Sequence, residues 1–224
     1  MKKVTVFLLL LLITSGLQAQ TAQTASDFLN RVSERYATIN DYTANITIRW
    51  PNRVETGQLL FRAPNNLRIN YTSPPNQTLV INNNLLQLHL PRFGAIMEQR
   101  LGASDVALGG LMTGAGLRIL QENYSVSWIN TPNLQPLVPG SSIMVHKLRL
   151  EWRTFSEGFR TIDLSITPNL LIVRVEATTS LFERIIFEYS NINLNTGLAA
   201  SLFVLELPET DKPTTFTNFL FPTN

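Results

Sequence analysis

Hydrophobic positions along this chain recur with two different periods, and the change falls near residue 40. Between Thr24 and Asn40, Phe28, Leu29, Val32, Tyr36 and Ile39 return every three or four residues, which predicts one helix with a single apolar stripe. Ser26 or Asp27 can cap its N-terminus by accepting from an unpaired amide. From Tyr42 to Trp50 the apolar residues fall on every second position with polar ones between, a strand with one dry and one wet face. The same alternation returns in Leu59/Phe61, Leu67/Ile69/Tyr71, Leu79/Ile81 and Leu86/Leu88/Leu90. After residue 120 it continues in Val126/Trp128, Leu148/Leu150/Trp152, Ile162/Leu164/Ile166, Leu171/Val173/Val175, Ile185/Phe187/Tyr189 and Phe203/Leu205/Leu207. Short turn segments rich in Pro and Asn separate the strands: Pro51-Asn52, Ala63 to Asn66, Ser73 to Asn76, Asn82 to Asn84 and Pro168-Asn169. Connections this short predict antiparallel hairpins rather than βαβ units. About ten or eleven strands are expected, the size at which a twisted sheet curls or closes.

One segment breaks the alternation. Leu101 to Glu122 carries apolar residues at helical spacing behind Ser104 or Asp105, with Gly109-Gly110, Gly114 and Gly116 interrupting them. Each glycine inside a helix weakens it by about 1 kcal/mol relative to alanine. The composition fits a movable lid between two halves of a sheet, and equally an ordinary packing helix with loop glycines.

The first twenty residues belong to another pattern. Lys2 and Lys3 precede an apolar run from Val4 to Ile13, and a more polar stretch ends at Ala19. The run is about half of the roughly 20 residues that span a bilayer, so residues 1–20 are expected to be a cleaved signal peptide. Residues 21–224 are then expected to form one exported domain, since no later run approaches spanning length. The chain has no cysteine, which excludes disulfides, thiol nucleophiles, Cys-based metal sites and an acylated N-terminal cysteine.

Charge removes further classes. There are 18 Lys and Arg against 16 Asp and Glu, and without Lys2 and Lys3 the two signs balance. A balanced chain with 15% charged residues lacks the dense positive face that nucleic acid requires. The usual share is about a quarter, so at 44% hydrophobic the chain has apolar side chains beyond the needs of an ordinary soluble domain. Catalytic chemistry finds no foothold. His89, between Leu88 and Leu90, shares the outward parity of Gln87 and is expected in solvent, whereas His146 shares the inward parity of Leu148 and Leu150. Glu151, Glu176, Glu188 and Glu206 fall on the polar parity of their strands. No GxSxG, P-loop, dinucleotide fingerprint or HExxH spacing occurs. No enzymatic activity, metal or cofactor is expected.

Gly57-Gln58-Leu59-Leu60-Phe61-Arg62-Ala63-Pro64-Asn65, then Leu67 to Pro74, then Gln77 to Leu90 form a run that resembles the outer-membrane lipoprotein carrier family, LolA. Phe187 to Leu194 and Leu202 to Pro208 resemble that family's last strands, so the likeness extends over the mature chain. It implies a mainly β fold with a few helices: a curled antiparallel, incomplete β-barrel covered by short helices. It also implies a periplasmic carrier that takes the acyl chains of lipoproteins into an apolar cavity. Its partners would be acylated lipoproteins, an inner-membrane releasing transporter and an outer-membrane receptor, with the carrier a monomer. By strand parity, Ile46, Ile48, Leu59, Phe61, Ile69, Leu88, Trp128, Leu148, Leu150 and Phe187 would face the cavity. Val106, Leu108, Leu111, Met112, Leu117 and Leu120 would form the lid, and Arg92 and Arg100 the docking charge. One departure stands out. The arginine that in many family members precedes the motif proline is Ala63 here, with Arg62 one residue early and so on the other face; Arg68 or Arg118 would have to close the lid, or apolar contacts alone. Three other functions sit on the same sequence features: a periplasmic lipid or lipoprotein sensor, the outer-membrane receptor, and a lipid hydrolase. The last two are disfavoured by the missing cysteine and the missing nucleophile motif.

Overall fold

The computed structural model describes residues 23–101, 113–154, 158–207 and 212–218. Helix α1 (Ala25–Ala37) is followed by β1 (Asp41–Arg49), β2 (Val54–Arg62), β3 (Asn66–Ser73), β4 (Thr78–Asn82), β5 (Leu85–Leu90) and β6 (Ala95–Arg100). Helix α2 (Gly114–Asn123) leads into β7 (Tyr124–Trp128), β8 (Gln135–Pro136), β9 (Met144–Trp152), β10 (Phe159–Ile166), β11 (Ile172–Thr179) and β12 (Arg184–Leu194), and β13 (Thr214–Thr217) comes last. The strands form one open sheet in the order β13-β6-β5-β4-β3-β2-β1-β12-β11-β10-β9-β7, with β8 beside β9. The sheet curls without closing, one of the two outcomes expected at this strand number, and the architecture is the incomplete barrel that the resemblance implied.

Side chains of the predicted dry parity share one face across the whole width. Outward from β1, Ile48 lies opposite Phe187, Phe187 opposite Val175, Val175 opposite Leu164, Leu164 opposite Leu148, and Leu148 opposite Trp128. In the other direction Ala44 faces Leu59, then Ile69, Leu79, Leu88 and Met97. A bulge moves one strand off its expected parity. Ile166 pairs with Ile172 while Ser165 pairs with Arg174, so Ile172, not Leu171 or Val173, joins Val175 in the core.

Three local expectations are corrected. Helix α1 is capped by Thr24, ahead of either residue expected there; its hydroxyl accepts from Asp27 N at 3.0 Å. Phe203 to Leu207 is not a strand: Ala200–Phe203 forms a 3-10 turn, and β13, parallel to β6, ends the described sheet instead. Gly114 and Gly116 lie inside α2, not in a loop. A Cβ on Gly114 would sit 2.9 Å from both Ser33 O and Ala37 N of α1, and Ser33 Oγ donates to Gly114 O at 2.9 Å. The glycine therefore serves a close helix–helix approach that a side chain would block.

The two helices lie over the β7–β12 half. Phe28 of α1 meets Trp128 and His146 at ring distances of 5.1 and 4.7 Å. The hydroxyl of Tyr36 accepts from Ile172 N at 2.9 Å. Leu29, Val32 and Leu117 are buried with Leu148, Leu150, Ile162 and Leu164. Behind the β1–β4 half the outer face is dry as well: Leu60, Val80 and Phe203 are buried, and the 3-10 turn packs on β3 and β4. Asp41 holds the chain leading into that turn, accepting from Thr196 N (2.6 Å), Thr196 Oγ1 (2.9 Å) and Gly197 N (3.0 Å).

Candidate functional site

All ten residues expected at the cavity fall on the inner face, but in two different states. Ile46, Ile48, Leu59, Phe61, Ile69, Leu148 and Leu150 are buried in the main cluster, with Leu148 and Leu150 at 0% exposure. Leu88, Trp128 and Phe187 are half-buried. Trp128 packs on Phe28 of α1 and Phe187 lies between β1 and β11, whereas Leu88 is on β5, away from both helices. On β3 to β6, beyond the helices, Leu67, Tyr71, Leu79, Leu86, Leu88, Leu90 and Met97 are half-buried along a continuous inward-facing surface. Only Leu88 of these was among the residues expected at the cavity. Parity placed all but Met97 on this face, since β6 was not among the expected strands, and the alternation carries no sign of where the helices stop.

Of the residues expected in a lid, Leu117 and Leu120 lie on α2 and are buried in the core. Val106, Leu108, Leu111 and Met112 lie outside the described residues. Neither arginine considered as a lid closer is bonded to a carbonyl of α1 or α2 among the described residues. Arg68 is on the outer face, donating to Leu202 O at 3.0 Å and to Asn70 Oδ1 at 2.7 Å, and it fastens the C-terminal segment. It also lines a hollow of about 420 Å³ between Leu60, Asn70, Leu202 and Val204. Arg118 is exposed on α2. Arg92 and Arg100 are both exposed but sit at opposite ends of β6, so they do not form one patch.

The chemistry of the inner face is largely apolar; it carries the charge of Glu55, opposite Ile48 near the β1–β2 turn and ion-paired with Arg53 at 2.8 Å. Burial pushes the hydroxyls of Tyr36, Tyr42, Tyr71 and Tyr189 well above the ordinary tyrosine value, so they stay neutral. His146 points inward as expected, but it is half-buried at the margin of the core, with its Nδ1 2.9 Å from Pro132 O and its ring against Phe28. His89 corrects its expectation. It does lie on the outer face, but it is buried there beside Ile96, because that side of the sheet is not uniformly wet. Among the described residues no three His, Asp or Glu side chains gather as a metal site. Nor is any described helix long and apolar enough to cross a membrane.

No family model and no curated protein matches the sequence. Solved structures do. An uncharacterized conserved protein from Thermus thermophilus aligns with a TM-score of 0.56 at 12% identity, over 86% of this chain and 98% of that one. MucB aligns with a TM-score of 0.53 at 14% identity, over 85% of this chain and 65% of its own. A LolA superfamily protein from Nitrosomonas europaea aligns at 0.44 and 14% identity, over 82% and 99%. At such identities the likeness is one of fold. The shared fold is an open, curled half-barrel, common to this chain, the Thermus protein and MucB.

Proposed function

We propose that this protein is a periplasmic, non-enzymatic carrier that holds the acyl chains of lipoproteins against the inner face of its half-barrel and moves them from the inner to the outer membrane. The observation that carries the reading is the unequal burial of that face. Beyond the helix-covered core, Leu67, Leu79, Leu86, Leu88 and Met97 keep part of their apolar surface uncovered by any described residue. Each buried methylene is worth about 0.8 kcal/mol, so an acyl chain laid on this surface is held without any chemical step. The half-barrel fold, the LolA-like motifs, the leader-like residues 1–20 and the lack of a catalytic motif support the same reading.

On this reading a releasing transporter loads the carrier and an outer-membrane receptor unloads it. Residues 104 to 120 would then act as plug and lid. The buried Leu117 and Leu120 would be its fixed root.

A fluorescent fatty-acyl peptide tests the proposal. The mature protein should bind it saturably, and Leu79→Gln with Leu88→Gln should abolish binding while melting is little changed. Equal binding by the double variant would remove this surface from the site. The second reading, a lipid-sensing regulator on the same half-barrel, draws on the likeness to MucB. Mass spectrometry of complexes captured from periplasm separates them: lipoproteins for a carrier, one signalling partner for a regulator.

A further inference from the structure

The two ends of the sheet are built from different residues. At one end the turns carry Asn65-Asn66, Asn82 to Asn84, Pro168-Asn169 and Asn195-Thr196, the polar punctuation a wet turn needs. At the other end lie the turns β1–β2, β3–β4, β5–β6, β9–β10 and β11–β12, of which the first two also carry Pro and Asn (Pro51-Asn52, Pro74 to Asn76). There Phe93 is 75% exposed, Leu181 80% and Phe182 69%, more than any other large apolar side chain among the described residues. Neither apolar tip is a frayed strand. Phe182 N donates to Thr179 O at 3.0 Å and Glu183 N to Thr179 Oγ1 at 3.1 Å, which holds the β11–β12 turn closed with its side chains outward. Phe182 has a φ of 65°, a left-handed conformation that aromatic residues rarely adopt. Nothing in the turn itself calls for two large apolar residues in full solvent.

Their surroundings say what they meet. The same turns and their flanks carry Arg49, Arg53, Arg92, Arg153, Arg160 and Arg184 against Glu55, Glu151, Glu176, Glu183 and Glu188 among the described residues. Arg49, Arg53 and Arg184 are ion-paired with Glu188, Glu55 and Glu176, whereas Arg92 and Arg160 lie beside the apolar tips Phe93 and Phe182. Arg160 lies over the Phe182 ring at 4.2 Å and Arg53 over the Trp50 ring at 4.3 Å. Between the β1–β2 and β11–β12 turns is a hollow of about 480 Å³, lined by Arg49, Trp50, Phe182 and Arg184 among others. Apolar tips with guanidinium groups at their bases match the boundary between lipid phosphates and acyl chains. A second, less exposed apolar patch at Leu134, Ile143 and Met144 lies at the opposite end. No lysine or arginine occurs from residue 129 to 146, so that patch has no such match.

We infer that this rim is a membrane-docking surface. Phe93, Leu181 and Phe182 enter the headgroup region of an anionic bilayer, and Arg92, Arg153 and Arg160 pair with its phosphates. The inference extends the carrier reading, which requires contact with two membranes. It places the Asn-rich end away from the lipid, and it assigns Arg92 to lipid phosphate.

Flotation of the mature full chain with protein-free vesicles is the test. Vesicles of phosphatidylethanolamine with phosphatidylglycerol should carry the protein up the gradient, less so at high salt, and phosphatidylcholine vesicles should not. The variant Phe93→Ser, Leu181→Ser, Phe182→Ser should lose about tenfold or more of that binding, while its melting temperature and its uptake of the acyl peptide stay unchanged. If the wild type does not float with protein-free vesicles, or the triple variant floats as well, the inference is overturned; a rim used on a protein receptor gives the first of these results. Failure of the carrier reading looks different. The acyl peptide is then not taken up by either protein, while the vesicle result still stands or falls by itself.

Discussion

The two halves of the sheet share one alternation of polar and apolar residues and use it differently. In the β7–β12 half α1 and α2 bury the middle of the inner face, Leu148, Leu150, Ile162, Leu164 and Val175, and leave Trp128 and Phe187 half-buried at its margins. Its outer face is wet and charged: Arg149 holds Asp163 through two bonds of 2.8 and 2.7 Å, and Arg174 bridges Glu176 and Glu188. In the β1–β6 half the order is partly inverted. Part of the outer face is dry under the C-terminal segment, while inward-facing leucines on β3 to β5 are only half covered. The first half is a completed core that anchors the fold. The second is stabilised from behind, which leaves part of its inner surface uncovered by the described residues. A protein that must present apolar surface to a cargo needs such a division, because one core cannot be both filled and available.

The sharpest way to break this comparison is to truncate one leucine in each half. Leu148→Ala should cost about 2–5 kcal/mol, as a fully buried site that cannot collapse. Leu88→Ala should cost less than about 1 kcal/mol yet weaken acyl-peptide binding; urea unfolding of both variants checks the contrast, and equal losses would end it. Next in size is the seal between the helices. Gly114→Ala should destabilise by about 1–3 kcal/mol, since its Cβ meets backbone atoms that have no flexible end to give way. A neutral result would mean that α1 and α2 part more easily than their packing indicates.

The support behind the β1–β6 half depends on Asp41. Burial works against its charge, but hydrogen bonds from Thr196, Gly197 and Leu198 outweigh this and hold its carboxyl below the usual value. A folded pKa below the unfolded one of about 3.9 adds stability that is complete above that pH and fades as pH falls through the folded value. Asp41→Asn should therefore be less stable than wild type at neutral pH, and the gap should close in acid below about pH 4. Proteolysis should then cut first between residues 195 and 207. A pH-independent gap would show that the shape of the side chain matters and its charge does not. The smallest effect is expected on the wet outer face. An Arg149–Asp163 double-mutant cycle should give about 0–1 kcal/mol, because both side chains are partly exposed.

Much of this was legible in the residues alone. The step from period 3.6 to period 2 near residue 40 located α1 and β1, because each pattern is dictated by local backbone geometry. Most strands, the antiparallel hairpins and the inward parity of Ile46 through Phe187 followed from alternation and turn residues. The Asn82 to Asn84 turn also lies where expected, and it places Asn83 at a φ of 57°. What failed were features set by something distant in the chain. Gly114 resembles a loop glycine until Ser33 and Ala37 are found against it. His89 has a solvent parity but lies on an outer face that is partly covered. The bulge at Ile172 shifts one residue without any local sign.

The sequence determined the periodicities, and with them the element types, the dry side of each strand and the absence of familiar catalytic motifs. These depend on neighbours one to four residues away. Only the tertiary structure decided which inward-facing residues are sealed and which keep apolar surface, and which end of the sheet carries its exposed aromatics. Burial is a property of what lies on top, and here the covering pieces, α1, α2 and the 200–207 segment, come from opposite ends and the middle of the chain. No pattern within a single strand records their positions.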